Sequence, residues 1–162
     1  MPDLTSLAES VADLLKKRGE KIAVADSSAG GLISASLLSI PGASAYYVGG
    51  IVSYTGISRA TLLGISEEYM SGIGMRASTE EYAALIAQTV REKFGTTWAL
   101  SETGASGPTG NRYGDASGHA CIAVSGPVER TITLETGSTN REANMWAFTK
   151  AALDLLEQCL KG

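Results

Sequence analysis

A chain of 162 residues, 44% hydrophobic and 19% charged, fits one globular domain with room for a core and excludes a disordered or collagen-like polypeptide. Its formal net charge of -4 argues against broad electrostatic binding to nucleic acid or an anionic membrane. Cys121 and Cys159 lack metal-ligand spacing, no apolar run approaches the ~20 residues of a membrane span, and the first residues lack signal-peptide regions, so a reduced, cytoplasmic setting is expected.

Leu4 to Arg18 places Leu7, Val11, Leu14 and Leu15 on one face, which predicts an amphipathic helix ending near Gly19. Lys21 to Ala25 reads as a short buried strand, and Gly31 to Leu38 as a helix stopped by Pro41-Gly42. Between them lies Asp26-Ser27-Ser28-Ala29-Gly30-Gly31, two hydroxyls and a carboxylate on a strand-to-helix turn whose free N–H groups favour negative charge. Such a turn suits a nucleophile and its developing oxyanion. It suits equally a plain helix start capped by Ser27 or Ser28.

Tyr46 to Tyr54 is rich in β-formers and predicts a second strand, with a polar exit at Thr55-Gly56-Ile57-Ser58-Arg59. Adjacent strand exits are where open α/β sheets hold ligands, which makes Tyr54 and Arg59 candidates; a half-buried tyrosine and a solvated arginine are the plainer alternative. Ser66 to Met70 predicts a short capped helix. Ser78-Thr79-Glu80-Glu81 fits a capping box, opening a helix with Tyr82, Leu85, Ile86, Val90 and Phe94 toward the core and ending at Gly95.

Thr97 to Ser101 predicts a third strand, which empties into Glu102-Thr103-Gly104-Ala105-Ser106-Gly107-Pro108-Thr109-Gly110-Asn111-Arg112, a run read as irregular because of its glycines and hydroxyls. Its exposed N–H groups suit an anion, and it lacks the P-loop lysine; a flexible connector is the even alternative. Gly118 to Ser125 and Glu129 to Glu135 form an edge hairpin, with His119, the single histidine, near the loop and no metal site implied. Thr139-Asn140-Arg141-Glu142 resembles a second capping box, opening a helix with Ala143, Trp146, Ala147, Leu153, Leu156 and Leu160 inward. A cation at Arg141, in the first turn, hints at an anionic partner. No repeat or linker interrupts the chain, so residues 1–162 are read as a single α/β domain, a mixed sheet flanked by helices.

These motifs, together with Pro41-Gly42-Ala43-Ser44, Gly50-Ile51-Val52-Ser53-Tyr54 and Leu63-Gly64-Ile65, follow the order and spacing of the C-terminal domain of competence/damage-inducible protein CinA, which the chain resembles over nearly its whole length. Stand-alone members of that family include nicotinamide mononucleotide (NMN) deamidases of the PncC type. The resemblance implies hydrolysis of the NMN carboxamide to nicotinic acid mononucleotide and ammonia, with no metal or cofactor. It matches Ser27 to the nucleophile and Tyr54 to a helper tyrosine. It implies substrate contacts from Asp26, Ser28, Gly30, Gly31, Glu102, Thr103, Gly104, Ser106 and Gly107, and from Arg141 of the same or a neighbouring subunit. A dimer or larger self-assembly is the expected partner state, alongside an NMN-like small molecule.

The chain departs from that family at three places. The usual Ala-Glu-Ser-Cys-Thr-Gly-Gly becomes Ala25-Asp26-Ser27-Ser28-Ala29-Gly30-Gly31, and Glu102 stands where a small or apolar residue is usual. Arg59 holds the position of the catalytic lysine, five residues after Tyr54, and an arginine, with a pKa above ~12, cannot act as general base. An ion pair between Glu102 and Arg59 is expected, and either a handicapped amidohydrolase or a non-catalytic nucleotide-binding member follows.

Overall fold

The computed structural model describes residues 3–162. Five strands form one sheet in the order β2-β1-β3-β4-β5, where β1 is Ile22–Asp26, β2 Tyr47–Val52, β3 Trp98–Ala105, β4 His119–Ser125 and β5 Arg130–Glu135. The first three are parallel and the last two antiparallel, so the sheet is mixed. Helices α1 (Leu4–Arg18), α2 (Leu32–Leu38) and α6 (Arg141–Lys161) cover one face. The other face carries α5 (Glu80–Phe94), with α3 (Gly56–Leu63) and α4 (Glu67–Gly72) beside it.

The two faces divide the strand residues by size. Ile22, Val24, Trp98, Leu100, Ile122 and Val124 point toward α1, α2 and α6, whereas Ala23, Ala25, Ala99 and Ala123 point toward α5. Alternation along each strand makes this division, and the small residues let α5 lie close on the sheet with its own Ala83 and Ala87. No helix is long and apolar enough to cross a membrane among the described residues.

Several local expectations are corrected. Glu102 to Ala105 is strand, because its residues pair with Ile122 to His119 on an apolar β4, and that pairing overrides a glycine-rich composition. Gly56–Leu63 is a helix, capped by a reciprocal Thr55–Ser58 box. The cap of α5 is Thr79, not Ser78, and that of α6 is Asn140, not Thr139; each cap accepts the N–H three residues on. Ala143 is exposed in the first turn of α6. Phe94, at the last turn of α5, is partly exposed and lies against Gly49, where a Cβ would stand 2.8 Å from its ring.

Candidate active site

The carboxyl ends of β1, β2 and β3 lie side by side, since β1 pairs in parallel with both neighbours. Three chain segments therefore leave the sheet at one edge: the Ser27 turn, the Ser53-Tyr54-Thr55 exit and the end of β3. They border a cleft of about 340 Å³, lined among others by Ser27, Tyr54, Arg59, Tyr82, Thr103 and Gly104, with Arg112 and Tyr113 from the loop after β3. That volume falls in the range of small-molecule sites.

Neither serine caps α2. Its N-cap is Gly31, at φ 97°, without a side-chain bond, and the helix N–H of Ile33 donates instead to Asp26 Oδ2 at 3.1 Å. Ser28 donates to the Gly104 carbonyl at 2.6 Å and so ties the turn to β3. Ser27 Oγ has no hydrogen-bond partner among the described residues and faces the cleft.

Glu102, buried beneath the turn, accepts the N–H of Ser27 at 3.0 Å and of Ala29 at 2.8 Å, both through Oε1. Two of the turn's N–H groups thus already serve an internal carboxylate, and are not open to an oxyanion as the sequence suggested. Burial pushes Glu102 up to about 7 against the pull of those N–H groups, and the Asp26 charge pushes the same way. Asp26 is raised to about 6, again by burial, opposed by the first N–H groups of α2. Each carboxyl keeps one buried oxygen, Asp26 Oδ1 and Glu102 Oε2, without a partner.

These shifts fix a pH dependence. A carboxyl titrating near 7 when folded, against an ordinary 4.5, adds stability in full below about 4.5 and loses it as the pH rises to about 7. Glu102→Gln, which keeps an acceptor for the turn, is expected to melt increasingly above the wild type between pH 4.5 and 7. Thermal melts across that window check it, and parallel curves would contradict it.

The expected Glu102–Arg59 pair does not form. Arg59, on α3, donates Nε–H to the Ile65 carbonyl at 3.1 Å and pairs with Glu67 of α4 at 2.6 Å. The two helices are consecutive, so the local partner wins, and β3 holds Glu102 under the turn. Arg59 is buried rather than solvated, and its guanidinium lies 5.9 Å from the Tyr82 ring centre. Burial works to lower its pKa, but Glu67 and Tyr82 more than offset that, so it stays a fixed cation. Arg59→Lys is expected to cost about 1–2 kcal/mol in a denaturant melt, because one ammonium cannot serve both acceptors in the guanidinium's fork geometry.

Of the other candidates, Tyr54 is exposed at the cleft and Arg141 donates to its hydroxyl at 3.1 Å and to the Gly107 carbonyl. Arg141 thus meets a carbonyl and a phenol. Thr103 accepts the Ser78 N–H at 3.2 Å. Asp26, Ser28, Gly30, Gly31, Glu102, Ser106, Gly107 and Arg141 do not line the cleft, although Asp26 and Glu102 border a smaller cavity that Ser27 shares. The loop after β3 is fastened rather than loose: Arg76 pairs with Asp115 at 2.8 Å and stacks on Tyr113 at 4.8 Å.

Sequence reasoning missed Tyr82 and Ser78. Helical spacing puts Tyr82 on the core face of α5, where its ring is buried, yet it also borders the cleft. Ser78 lies at φ 62°, uncommon for a residue with a Cβ, and its carbonyl accepts from His119 Nε2 at 2.9 Å. Both His119 nitrogens face acceptors, Ser78 and Glu135; burial works against the imidazolium, but these partners prevail and its pKa is raised. No cluster of three or more potential metal ligands occurs among the described residues.

Residues 4–160 match the CinA C-terminal domain family. A CinA-like protein from Gloeobacter violaceus is 36% identical over 158 residues, covering 96% of this chain and 37% of that protein. One from Trichormus variabilis is 36% identical, covering 96% of this chain and 38% of its own length. The chain thus spans a little over a third of the curated relatives it matches. Among solved structures, a competence-damaged protein (CinA) superfamily protein from Klebsiella pneumoniae superposes with a TM-score of 0.90 at 22% identity, covering 99% of both chains. A competence/damage-inducible protein from Agrobacterium tumefaciens gives 0.85 at 24% identity, covering 100% of this chain and 98% of that one. At these identities the superpositions speak for the fold.

Proposed function

The chain belongs to the CinA C-terminal domain family, and from that premise we propose that it is an amidohydrolase acting on the carboxamide of a nicotinamide nucleotide. The observation that carries the reading is Ser27: a hydroxyl without a partner among the described residues, on a turn pinned from below, facing a cleft of small-molecule size. In this reading Ser27 Oγ attacks the NMN carboxamide carbon and the C–N bond breaks with loss of ammonia. Water then hydrolyses the Ser27 ester to give nicotinic acid mononucleotide. With the N–H groups of Ser27 and Ala29 engaged, the oxyanion falls to hydroxyl donors of the cleft wall, Thr103 and Tyr82. Arg112, exposed at the cleft, is the cation available to the phosphate.

The test is ammonia release from NMN by the purified protein, with Ser27→Ala as control. Release that disappears in the control supports the reading, and release equal in both proteins refutes it. A nucleotide-binding member without turnover is the second reading, favoured by one observation: the lysine position holds Arg59, tied at both ends. NMN binding in calorimetry without ammonia release would select it.

A further inference from the structure

We propose that Glu102 is the proton acceptor for the Ser27 hydroxyl, supplying in this chain the base that Arg59 cannot be. The inference rests on Ser27 being a nucleophile, and not on NMN being its substrate.

The geometry divides the carboxylate into two working halves. Oε1 is fixed by the N–H groups of Ser27 and Ala29, which holds the group in register with the nucleophile's own backbone. Oε2 is buried and has no partner among the described residues, so it is the oxygen left to receive a proton. Ser27 and Glu102 also border a second, much smaller cavity of about 10 Å³, together with Asp26, Ser53 and Tyr82; of the two carboxyls there, Glu102 is the one bonded to the Ser27 backbone. That space is about the size of one water. Proton transfer to a base through a single water is within the reach of general base catalysis.

The electrostatics fit the same task. A buried carboxyl raised to about 7 is part ionised near neutrality and basic enough to matter. The groups that face it are few. Asp26 on β1 repels its charge, and the N–H groups of Ala29, Ser27 and Ser28 stabilise it. From α5 the Tyr82 phenol, itself raised by burial, borders the same small cavity, and the Arg59 cation on α3 is engaged by Glu67.

The step balances without any further reactant. As Oγ bonds to the acyl carbon, the Ser27 proton passes through water to Oε2. Glu102 then returns that proton to the leaving nitrogen as the C–N bond breaks, and is a carboxylate again before water attacks the ester.

The experiment separates this from a purely structural anchor, because Glu102→Gln keeps an oxygen acceptor for the turn and removes only the basicity. Labelling of Ser27 by a reactive fluorophosphonate is followed from pH 5 to 9 in the wild type, Glu102→Gln and Glu102→Asp, with Ser27→Ala as blank. The wild-type rate is expected to rise through an apparent pKa near 7 and level off. Glu102→Gln is expected to label at least about 100-fold more slowly, with no such rise. Glu102→Asp keeps the charge one methylene further back and is expected to retain the rise at a lower plateau, which keeps the test open if the glutamine variant fails to fold. A Glu102→Gln protein that labels within about threefold of the wild type, a flat profile from Glu102→Asp, or no labelling of wild-type Ser27 overturns the proposal. Glu102-dependent labelling without ammonia release from NMN would refute the substrate and leave the base standing.

Discussion

Gly104→Ala is expected to destabilise the protein by at least about 3 kcal/mol, read as a lowered denaturant midpoint at unchanged slope. Gly104 lies in β3 opposite Ala120 of β4. A Cβ there would stand 2.3 Å from the His119 carbonyl oxygen and 2.8 Å from Ala120 Cα, both backbone atoms of the neighbouring strand. Backbone in a paired strand cannot step aside, so the strands would have to part. The damage would also reach the Ser27 turn, because the Gly104 carbonyl accepts the Ser28 hydroxyl that ties the turn to the sheet. Gly72, the last residue of α4, has nothing within 4 Å of its Cβ position, so Gly72→Ala is the matched control and should be neutral or mildly stabilising. Equal midpoints for the two variants would contradict the steric argument.

On the proposed function, Ser27→Ala is expected to lower kcat for ammonia release by at least about 10³-fold while changing the unfolding free energy by no more than about 0.5 kcal/mol. The asymmetry follows from what the hydroxyl touches. Ser27 Oγ bonds to no protein group among the described residues, whereas its N–H is held by Glu102 whatever the side chain is. Alanine therefore leaves the turn in place and removes only the hydroxyl proposed as nucleophile. Ser28→Ala makes the contrast: it deletes the 2.6 Å bond to the Gly104 carbonyl and should cost about 1–2 kcal/mol in stability. A Ser27→Ala protein that keeps its turnover would remove Ser27 from the chemistry.

Much of the architecture was legible because it rests on local pattern. The bounds of α1, the end of α5 at Gly95 and the β4–β5 hairpin follow from periodicity and punctuation that any reader of the chain can count. Errors arose where a distant partner overrode the local signal. The run from Glu102 to Ala105 has the composition of a loop, but a buried β4 supplies the pairing that makes it strand. Arg59 gave no sign of preferring Glu67 to Glu102, because the choice depends on how α3 and α4 fold back on each other. Tyr82 was readable as a core residue and not as a cleft wall, since one ring does both.

By itself the sequence determined the class of the molecule: helical and strand periods, and a polar strand-to-helix turn carrying Ser27. Only the tertiary structure decided which groups meet. Ser27 and Glu102 are separated by 75 positions and come within hydrogen-bond range because β1 and β3 are parallel neighbours in the sheet. The same burial that hides Glu102 raises its pKa to about 7, a property of its surroundings and not of the residue. Local spacing can announce a hydroxyl on a turn. What lies beneath that turn depends on strand order, and strand order is settled by long-range packing.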